Sequence, residues 1–337
     1  MRAVGYRKSL PIDQAEALID LDIEKPVAKG RDLLVQVKAI SVNPVDYKVR
    51  KRAAPKDGEP AKILGYDATG VVAAVGESVS LFKVGDEVWY AGSIVRQGTN
   101  AEFHLVDERI VGRKPKSVGF AEAAALPLTA ITAWEVLFDR LGIAQGGGEG
   151  KALLIIGGAG GVGSIAIQLA RTLTKLTVIA TASRPETEKW CRELGAHHVI
   201  DHRKPMAEQL KAVGFRFVDY IFGVTESGQH FDTIAEIIAP QGKFGLIDDP
   251  GLIDTAKFKG KSASVHWEAM FTRSTFQTPD MIEQHKLLNE VAALVDKGTV
   301  RTTVAENFGT INAANLRRAH AQVESGTTRG KVVLEGF

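Results

Sequence analysis

Hydrophobic and polar positions divide this chain into two textures. Up to about residue 125 the apolar positions come in short runs bounded by glycine, aspartate or proline: Leu33 to Ile40 (LLVQVKAI), Ala68 to Val75 (ATGVVAAV), Asp86 to Tyr90 (DEVWY) and Ala101 to Val106 (AEFHLV). Runs of this kind predict strands, and Gly70 and Gly76 beside Val71, Val72 and Val75 suit strands that curl into a small barrel. From Phe120 the pattern changes: FAEAAALPLTAITAWEVLFDRL has Ala and Leu at helical spacing, with Pro127 placed to break or restart the helix. Ala144 to Gly150 reads as a flexible loop, and beyond it strand and helix alternate. Strands are predicted at Ala152 to Ile156, Leu176 to Thr181, His198 to Ile200, Val218 to Phe222 and Lys243 to Ile247, with helices at Ser164 to Leu173, Glu186 to Leu194 and Phe231 to Ile238. This is the doubly wound α/β pattern. Helices at Asp280 to Lys297 and Ala313 to Glu324 follow. A last strand, Lys331 to Leu334, predicts that the C-terminal segment returns to the first domain.

The most informative stretch is KALLIIGGAGGVGSIAIQLARTL, Lys151 to Leu173. A short uncharged run ends in five glycines within seven residues, and a helix starts at once. Gly158, Gly160 and Gly163 fit G-x-G-x-x-G: the first for a tight turn, the second for close approach to a pyrophosphate, the third for helix-on-strand packing. Gly158, Gly160, Gly161, Val162 and Gly163 are therefore candidate phosphate-binding residues, with the helix N-terminal amides facing the anion. A P-loop would need Gly-Lys-Ser/Thr at the helix start, where this chain has Gly163-Ser164-Ile165. A glycine turn that binds nothing and a methyl-donor site are the remaining alternatives, and the latter usually wants an acidic residue after the second strand. An NAD site wants one there too, on the ribose hydroxyls. The chain has Thr181-Ala182-Ser183-Arg184, a cation and no carboxylate, which favours a 2′-phosphate. The cofactor read from these residues is NADPH, with Ser183 and Arg184 as ligands. The alternative for Arg184 is a solvated arginine ahead of Pro185.

Composition narrows the classes further. With 337 residues the chain is long enough for two domains, and 45% hydrophobic and 24% charged residues are ordinary for a soluble protein. A net charge of +2 without a dominant basic cluster argues against nucleic-acid binding. Lys48, Arg50, Lys51 and Arg52 form the densest basic group and are read as a solvated loop face. Cys191 is the only cysteine, so no intrachain disulfide and no cysteine-rich zinc site can form. No signal-peptide pattern and no run of about 18 apolar residues is read, so a cytoplasmic protein with no membrane association is expected.

Four stretches taken in order carry a family resemblance: Ser41-Val42-Asn43-Pro44-Val45-Asp46-Tyr47, Ile63-Leu64-Gly65-Tyr66-Asp67-Ala68-Thr69-Gly70, Ala124 to Trp134 (AALPLTAITAW) and the glycine turn. On these the chain resembles the medium-chain dehydrogenase/reductase superfamily over essentially its full length. It looks most like the zinc-free quinone oxidoreductase branch, the zeta-crystallin type, many of whose members are labelled zinc-type alcohol dehydrogenase-like. The resemblance implies an α/β fold with a GroES-like β-barrel catalytic domain, residues 1–127 and 269–337, and a Rossmann doubly wound parallel-sheet domain, residues 128–268. The active site is expected in the cleft between the domains. A homodimer joined edge to edge near residues 262–270 is implied, with Ser262 to Trp267 as the edge strand.

Zinc members of the superfamily place a cysteine and a histidine where this chain has Asn43 and Tyr66, and four cysteines between about residues 90 and 115, where it has none. No metal is expected. Without a Lewis acid an unactivated ketone is hard to reduce, whereas a quinone or an α,β-unsaturated carbonyl delocalises the accepted charge. The expected activity is NADPH-dependent hydride transfer to such an acceptor. An enoyl-thioester reductase and a non-catalytic NADPH-binding protein are the alternatives. The resemblance implies that Asn43 and Thr129 line the nicotinamide, although Thr129 reads equally as a helix cap after Pro127. Tyr66, and after it Tyr47, is the expected donor to the substrate carbonyl, each with a packed aromatic as its alternative. His202 is expected near the adenosine phosphate or as a surface histidine, and Thr225 and the Ile247-Asp248 pair at strand ends near the cofactor. Arg329 is implied as a basic residue near it, and Trp267, Phe271 and Phe276 read as apolar walls or as core.

Overall fold

A computed structural model describes residues 1–55 and 58–337. The chain divides into two compact units, residues 1–131 with 271–337, and residues 132–270.

The first unit begins with β1 (Arg2–Tyr6), β2 (Ile19–Asp22), β3 (Asp32–Val42), α1 (Pro44–Arg52), β4 (Lys62–Ile63), β5 (Ala68–Val75), β6 (Glu87–Tyr90), β7 (Phe103–Asp107), β8 (Val111–Arg113), α2 (Phe120–Ala124) and α3 (Pro127–Trp134). α3 runs on into the second unit and continues as a π-turn, Glu135–Arg140. The second unit follows with β9 (Ala152–Ile156), α4 (Gly161–Leu173), β10 (Thr177–Thr181), α5 (Pro185–Glu193), β11 (His198–Ile200), α6 (Met206–Ala212), β12 (Val218–Gly223), α7 (Ser227–Ile237), β13 (Ile238–Leu246) and β14 (Ser264–Trp267). The chain then completes the first unit with α8 (Thr272–Phe276), α9 (Ile282–Asp296), β15 (Val304–Asn307), α10 (Ala313–Glu324) and β16 (Lys331–Glu335).

In the first unit β3 is the spine, pairing antiparallel with β5, with β7 along its first residues and with β16 along its last. The expected return of the C-terminal strand is thereby realised, with Val332 opposite Val42. In the second unit all six strands are parallel, in the order β11-β10-β9-β12-β13-β14. That is the doubly wound order, which reverses beside its first strand and opens a crevice at the strand C-termini. All five residues of the central β9 are buried, as its uncharged run predicts. The expected edge strand is present as β14, at one end of the sheet.

Several expectations need correction. The first 125 residues contain a helix, α1, in a region read as strand and turn. Its apolar positions, Val45, Tyr47 and Val49, alternate as in a strand, while the face it buries is polar: Asp46 and Arg50, one helical turn apart, are 1% and 0% exposed. Hydrophobic periodicity cannot find a helix that buries its charges. The basic group at residues 48–52 is accordingly not a solvated loop. Arg50 bonds Glu324 at 2.6 Å and donates to the carbonyl of Leu10. β1, β2 and the short α6 also went unread; α6 buries only Met206 and Leu210. α7 starts at Ser227 rather than Phe231, and β13 at Ile238 rather than Lys243. Finally, the helical stretch Phe120–Arg140 is long and apolar enough to span a bilayer by length and composition, where no such run was expected. Its most apolar window is 83% buried, as in a core helix.

The turn between β9 and α4 yields a stability test. A Cβ on Gly163 would stand 2.3 Å from the Gly157 carbonyl oxygen and 2.7 Å from Gly158 Cα, whereas one on Gly160 meets nothing closer than 3.7 Å. Gly163→Ala is expected to cost about 1–3 kcal/mol as an overpacking change, and Gly160→Ala much less. Urea unfolding of the two variants checks this, and equal losses would contradict it.

Candidate active site

In the second unit the glycine turn is tied to β10. The Thr181 hydroxyl accepts from the Gly157 amide at 3.0 Å, and the Thr181 carbonyl accepts from the Gly158 amide at 3.0 Å. The left-handed residue of the turn is Gly157, at φ +90°, one residue before the position assigned to the tight turn. Gly158 is required for a different reason, since a Cβ there would lie 2.7 Å from Ala180 Cβ and 3.1 Å from Cys191 Sγ. Gly163 makes the expected close packing, and Gly160 leaves open space at the N-cap of α4. The amides of Gly161, Val162 and Gly163 open that helix, in the turn whose N–H groups have no intrahelical acceptors. This cradle fits a pyrophosphate.

The other cofactor residues predicted in this unit stand at successive strand ends. Ser183 and Arg184 follow β10, and Arg184 Nε lies 3.2 Å from Glu186. His202 follows β11. Its Nδ1 is 3.2 Å from the Thr181 hydroxyl, and its ring meets His230 edge to face at 6.1 Å. Burial, then the neighbouring His230, pushes its pKa below the usual histidine value, which favours the neutral imidazole. The methyl of Thr225, after β12, lies against Gly157, and the Ile247 amide, after β13, donates to the Gly223 carbonyl at 3.2 Å. Sequence reasoning missed Arg203. Its guanidinium donates to the Ser183 carbonyl and to Asp201 at 3.2 Å, which puts a second cation beside the residues after β10. The signal was present in Asp201-His202-Arg203-Lys204, directly after the third strand of the alternation.

In the first unit Asn43 and Asp67, next to Tyr66, belong to a buried polar cluster. Asn43 is the N-cap of α1, and its backbone amide donates to Asp46 at 2.7 Å. Asp46 also accepts from the Gly65 amide at 2.9 Å. The Asn43 side chain donates to Asp67 at 2.8 Å and accepts from Lys331 Nζ at 2.7 Å. Lys331 Nζ further donates to the Val42 carbonyl at 3.0 Å and to Asp67 at 3.2 Å, while the Leu128 amide donates to the other Asp67 oxygen at 2.8 Å. All four side chains are buried. Burial pushes Asp67 up and Lys331 down, yet three N–H donations need an ammonium and three acceptances suit a carboxylate, so the pair is ionised. Burial also carries Asp46 up to about 7, against the pull of the Asn43 amide, Lys331 and the Gly65 amide.

Tyr66 is 1% exposed and packs edge to face on Phe271 at 5.3 Å, yet its hydroxyl has no hydrogen-bond partner among the described residues. Burial first, then Asp46 and Tyr6, raises its pKa, so the phenol keeps its proton and remains a donor. Tyr47 is not brought to the cluster; it lies half-buried on α1 with Lys51 Nζ 5.4 Å from its ring centre. The Thr129 hydroxyl donates to the Leu126 carbonyl at 3.0 Å, within its own helical turn. Arg329 is exposed, two residues ahead of Lys331, the basic residue that enters the cluster and that sequence reasoning missed. Trp267 and Phe276 are exposed at 57% and 75%, so of the three aromatics only Phe271 packs on a site residue.

With this geometry described, comparison with known proteins gives a consistent answer. Residues 29–134 match the alcohol dehydrogenase GroES-like domain, and residues 194–334 match the zinc-binding dehydrogenase domain. A zinc-type alcohol dehydrogenase-like protein of Staphylococcus aureus is 39% identical over 340 residues, 99% of either chain. A mitochondrial NAD(P)H oxidoreductase of Homo sapiens is 33% identical over 332 residues, 90% of this chain and 81% of that one. The crystal structure of a putative zinc-dependent alcohol dehydrogenase protein from Rhizobium etli is 60% identical, with a TM-score of 0.97 over 100% of this chain and 98% of that one.

Those names raise the question of zinc, and the donor set answers it. Asn43 spends its carbonyl oxygen on Lys331 and its amide group on Asp67. Both oxygens of Asp46 and of Asp67 are occupied by N–H donors, and the cation among them is the Lys331 ammonium. Tyr66 offers a protonated phenol where a zinc ligand must be an anion or a neutral imidazole. These residues do not fit a zinc ion. Lys331→Met would leave Asp67 buried and unpaired, and is expected to cost about 3–5 kcal/mol in urea unfolding. Adding Asp67→Asn should recover part of that loss, and additive losses would contradict the pairing.

Proposed function

The chain belongs to the medium-chain dehydrogenase/reductase superfamily and is an oxidoreductase, and from that premise we propose that it is a cytoplasmic, NADPH-dependent reductase of quinones or α,β-unsaturated carbonyls that works without a metal. The observation that carries the reading is the Tyr66 hydroxyl, a buried protonated donor without a partner among the described residues, beside a cluster whose one cation is a lysine.

When bound, NADPH supplies the hydride. Gly160 and the first amides of α4 receive its pyrophosphate, and Arg184 and Arg203, beyond the ends of β10 and β11, receive the 2′-phosphate in the absence of a competing carboxylate after β10. His202 bonds Thr181, which holds the turn. On the acceptor side Tyr66 donates to the carbonyl oxygen as negative charge grows there, and Phe271 keeps the ring in place. One phenol is a weaker electrophile than a metal ion. A conjugated acceptor asks less of it, because the charge spreads over an enolate or hydroquinone. Ser264 to Trp267 supports a homodimer on the same reading, since β14 ends the sheet with Trp267 exposed.

Arg184→Ala and Arg203→Ala are each expected to raise KM for NADPH about tenfold to a hundredfold, the equivalent of one charged hydrogen bond at roughly 1.5–3 kcal/mol, and to leave KM for NADH unchanged. Equal weakening of both cofactors would count against a 2′-phosphate site. Tyr66→Phe is expected to lower kcat/KM about a hundredfold on a quinone or enone while NADPH still binds. Unchanged kcat/KM would remove Tyr66 from the chemistry. Turnover of enoyl thioesters in preference to quinones and enones would move the substrate class, and tight NADPH binding with no turnover on any of them would favour a binding protein.

A further inference from the structure

The chain comes into the second unit along α3 and leaves it shortly after β14, and within that unit these two segments are joined by three charged side chains. Glu135 and Arg140 bound the π-turn; Glu268 follows β14. In an α-helix five residues make about 1.4 turns, which would point Glu135 and Arg140 in different directions. Here the Leu141 amide bonds the Val136 carbonyl, five residues back, at 2.9 Å. Winding of this kind brings residues five apart close to the same face. Arg140 Nε donates to Glu268 Oε2 at 2.7 Å, which leaves Glu268 Oε1 buried with no N–H or hydroxyl donor among the described residues, and the Glu135 carboxyl stands within hydrogen-bonding reach of Glu268. Glu135 is 1% exposed and the Glu268 side chain is wholly buried. The backbone of Glu268 is fixed as well, its amide donating to the Leu246 carbonyl at 3.0 Å.

Two ionised carboxylates are both acceptors and cannot bond each other, so one of this pair carries a proton. One proton also balances the charge: a carboxylate and a guanidinium cancel, whereas a second buried carboxylate would be left uncompensated. We propose that Glu135, Glu268 and Arg140 form a staple closed by one shared proton, which holds the segment after β14 to the π-turn and loosens when that proton leaves. The surrounding charged groups supply no other proton for this bond. Lys243, on β13, donates to the Leu141 carbonyl at 2.8 Å, and His266, on β14, is bonded to the Ser264 hydroxyl at 2.8 Å. Burial, then Lys243 and Arg140, holds the His266 pKa down. Asp139 lies on the exposed side of the turn.

The direction with pH follows from the acid. Burial, then Glu135, raises Glu268 to about 8 against the pull of Arg140. Its folded pKa is above the unfolded value, so the contribution is whole below the ordinary carboxylate range and is lost as pH rises through about 8. The closed staple is therefore the neutral-pH form, and mild alkali opens it.

Amide hydrogen exchange of the full chain between about pH 6.5 and 9.5, with the intrinsic pH dependence divided out, tests this. Protection at residues 136–141 and 264–268 is expected to fall together as pH rises towards about 8, at most about tenfold per pH unit for one proton, and to level off above it. Glu268→Gln places an amide donor where the shared proton was and cannot titrate, so its protection should stay flat. Infrared difference spectra at pH 7 should show a protonated-carboxyl band that disappears in both Glu268→Gln and Glu135→Gln. Flat protection in the unsubstituted chain would overturn the staple, as would an unchanged slope in Glu268→Gln or the absence of that band. If the variants fail to fold, the exchange profile and carboxyl band of the unsubstituted chain still decide.

Discussion

Lys331 and Asp67 are 264 residues apart in the chain and 3.2 Å apart in the fold, and the buried pair they make constrains most of the first unit. Taking two charges out of water is costly unless every remaining donor and acceptor is matched. Here the matching partners are Asn43, the Val42 carbonyl and the Leu128 amide. Matching them fixes β16 against β3, with Val332 opposite Val42, and sets Asn43 as the cap from which α1 starts. One turn into that helix Asp46 closes back on Asn43, and one turn further Arg50 reaches Glu324 on α10. The return segment is thus anchored to α1 and its cap at two polar points, through β16 and through α10. Residues 1–131 alone would leave Asp67 and Arg50 buried without their charged partners, Lys331 and Glu324, which makes the C-terminal segment part of the first unit's folding rather than an appendage.

In the second unit the central strands β9 and β10 are apolar and almost wholly buried, and the residues expected at the cofactor stand at the ends where the parallel sheet opens. The turn owes its shape to Gly157 and to Thr181, whose hydroxyl and carbonyl both hold turn amides. The same residue receives His202 from the neighbouring strand end, so the glycine turn and the end of β11 are braced by one side chain. Arg203, by bonding the Ser183 carbonyl, ties the ends of β10 and β11 together and sets a cation beside the residues after β10.

Legibility of the sequence followed the same divide. The alternating half is legible because its central strands carry short apolar runs, and all six of its strands are expected, five from the alternation and β14 as the edge. β13 was read five residues too short because Pro240-Gln241-Gly242 looks like a turn but lies within the strand. In the first unit pattern failed where burial is polar. α1 shows a strand-like alternation of Val45, Tyr47 and Val49 while hiding Asp46 and Arg50, and no periodicity flags a lysine at the head of KVVLE as the centre of a cluster. Family resemblance found Asn43 and Tyr66 by position, but it could not show that the Asn43 amide is spent on its neighbours. The Glu135–Glu268 contact was invisible for another reason: it needs a π-turn, and a sequence read at 3.6 residues per turn sets Glu135 and Arg140 on different faces.

Within the cluster and the residues that border it, accounting for each polar group isolates Tyr66. Asn43, Asp46, Asp67 and Lys331 all have partners, and Tyr6 gives its hydroxyl to the Ala53 carbonyl. A buried hydroxyl left unpaired costs about 1–3 kcal/mol, and phenylalanine would fill the same place against Phe271 without that cost. The proposed function gives that oxygen a partner that arrives with the ligand: a protonated phenol can receive only an acceptor for its proton, and on that proposal a carbonyl oxygen gaining charge during reduction is the acceptor whose bond strengthens as the reaction proceeds. The buried lysine beside it keeps the cluster balanced and leaves the phenol as the one group with hydrogen-bonding capacity to spend.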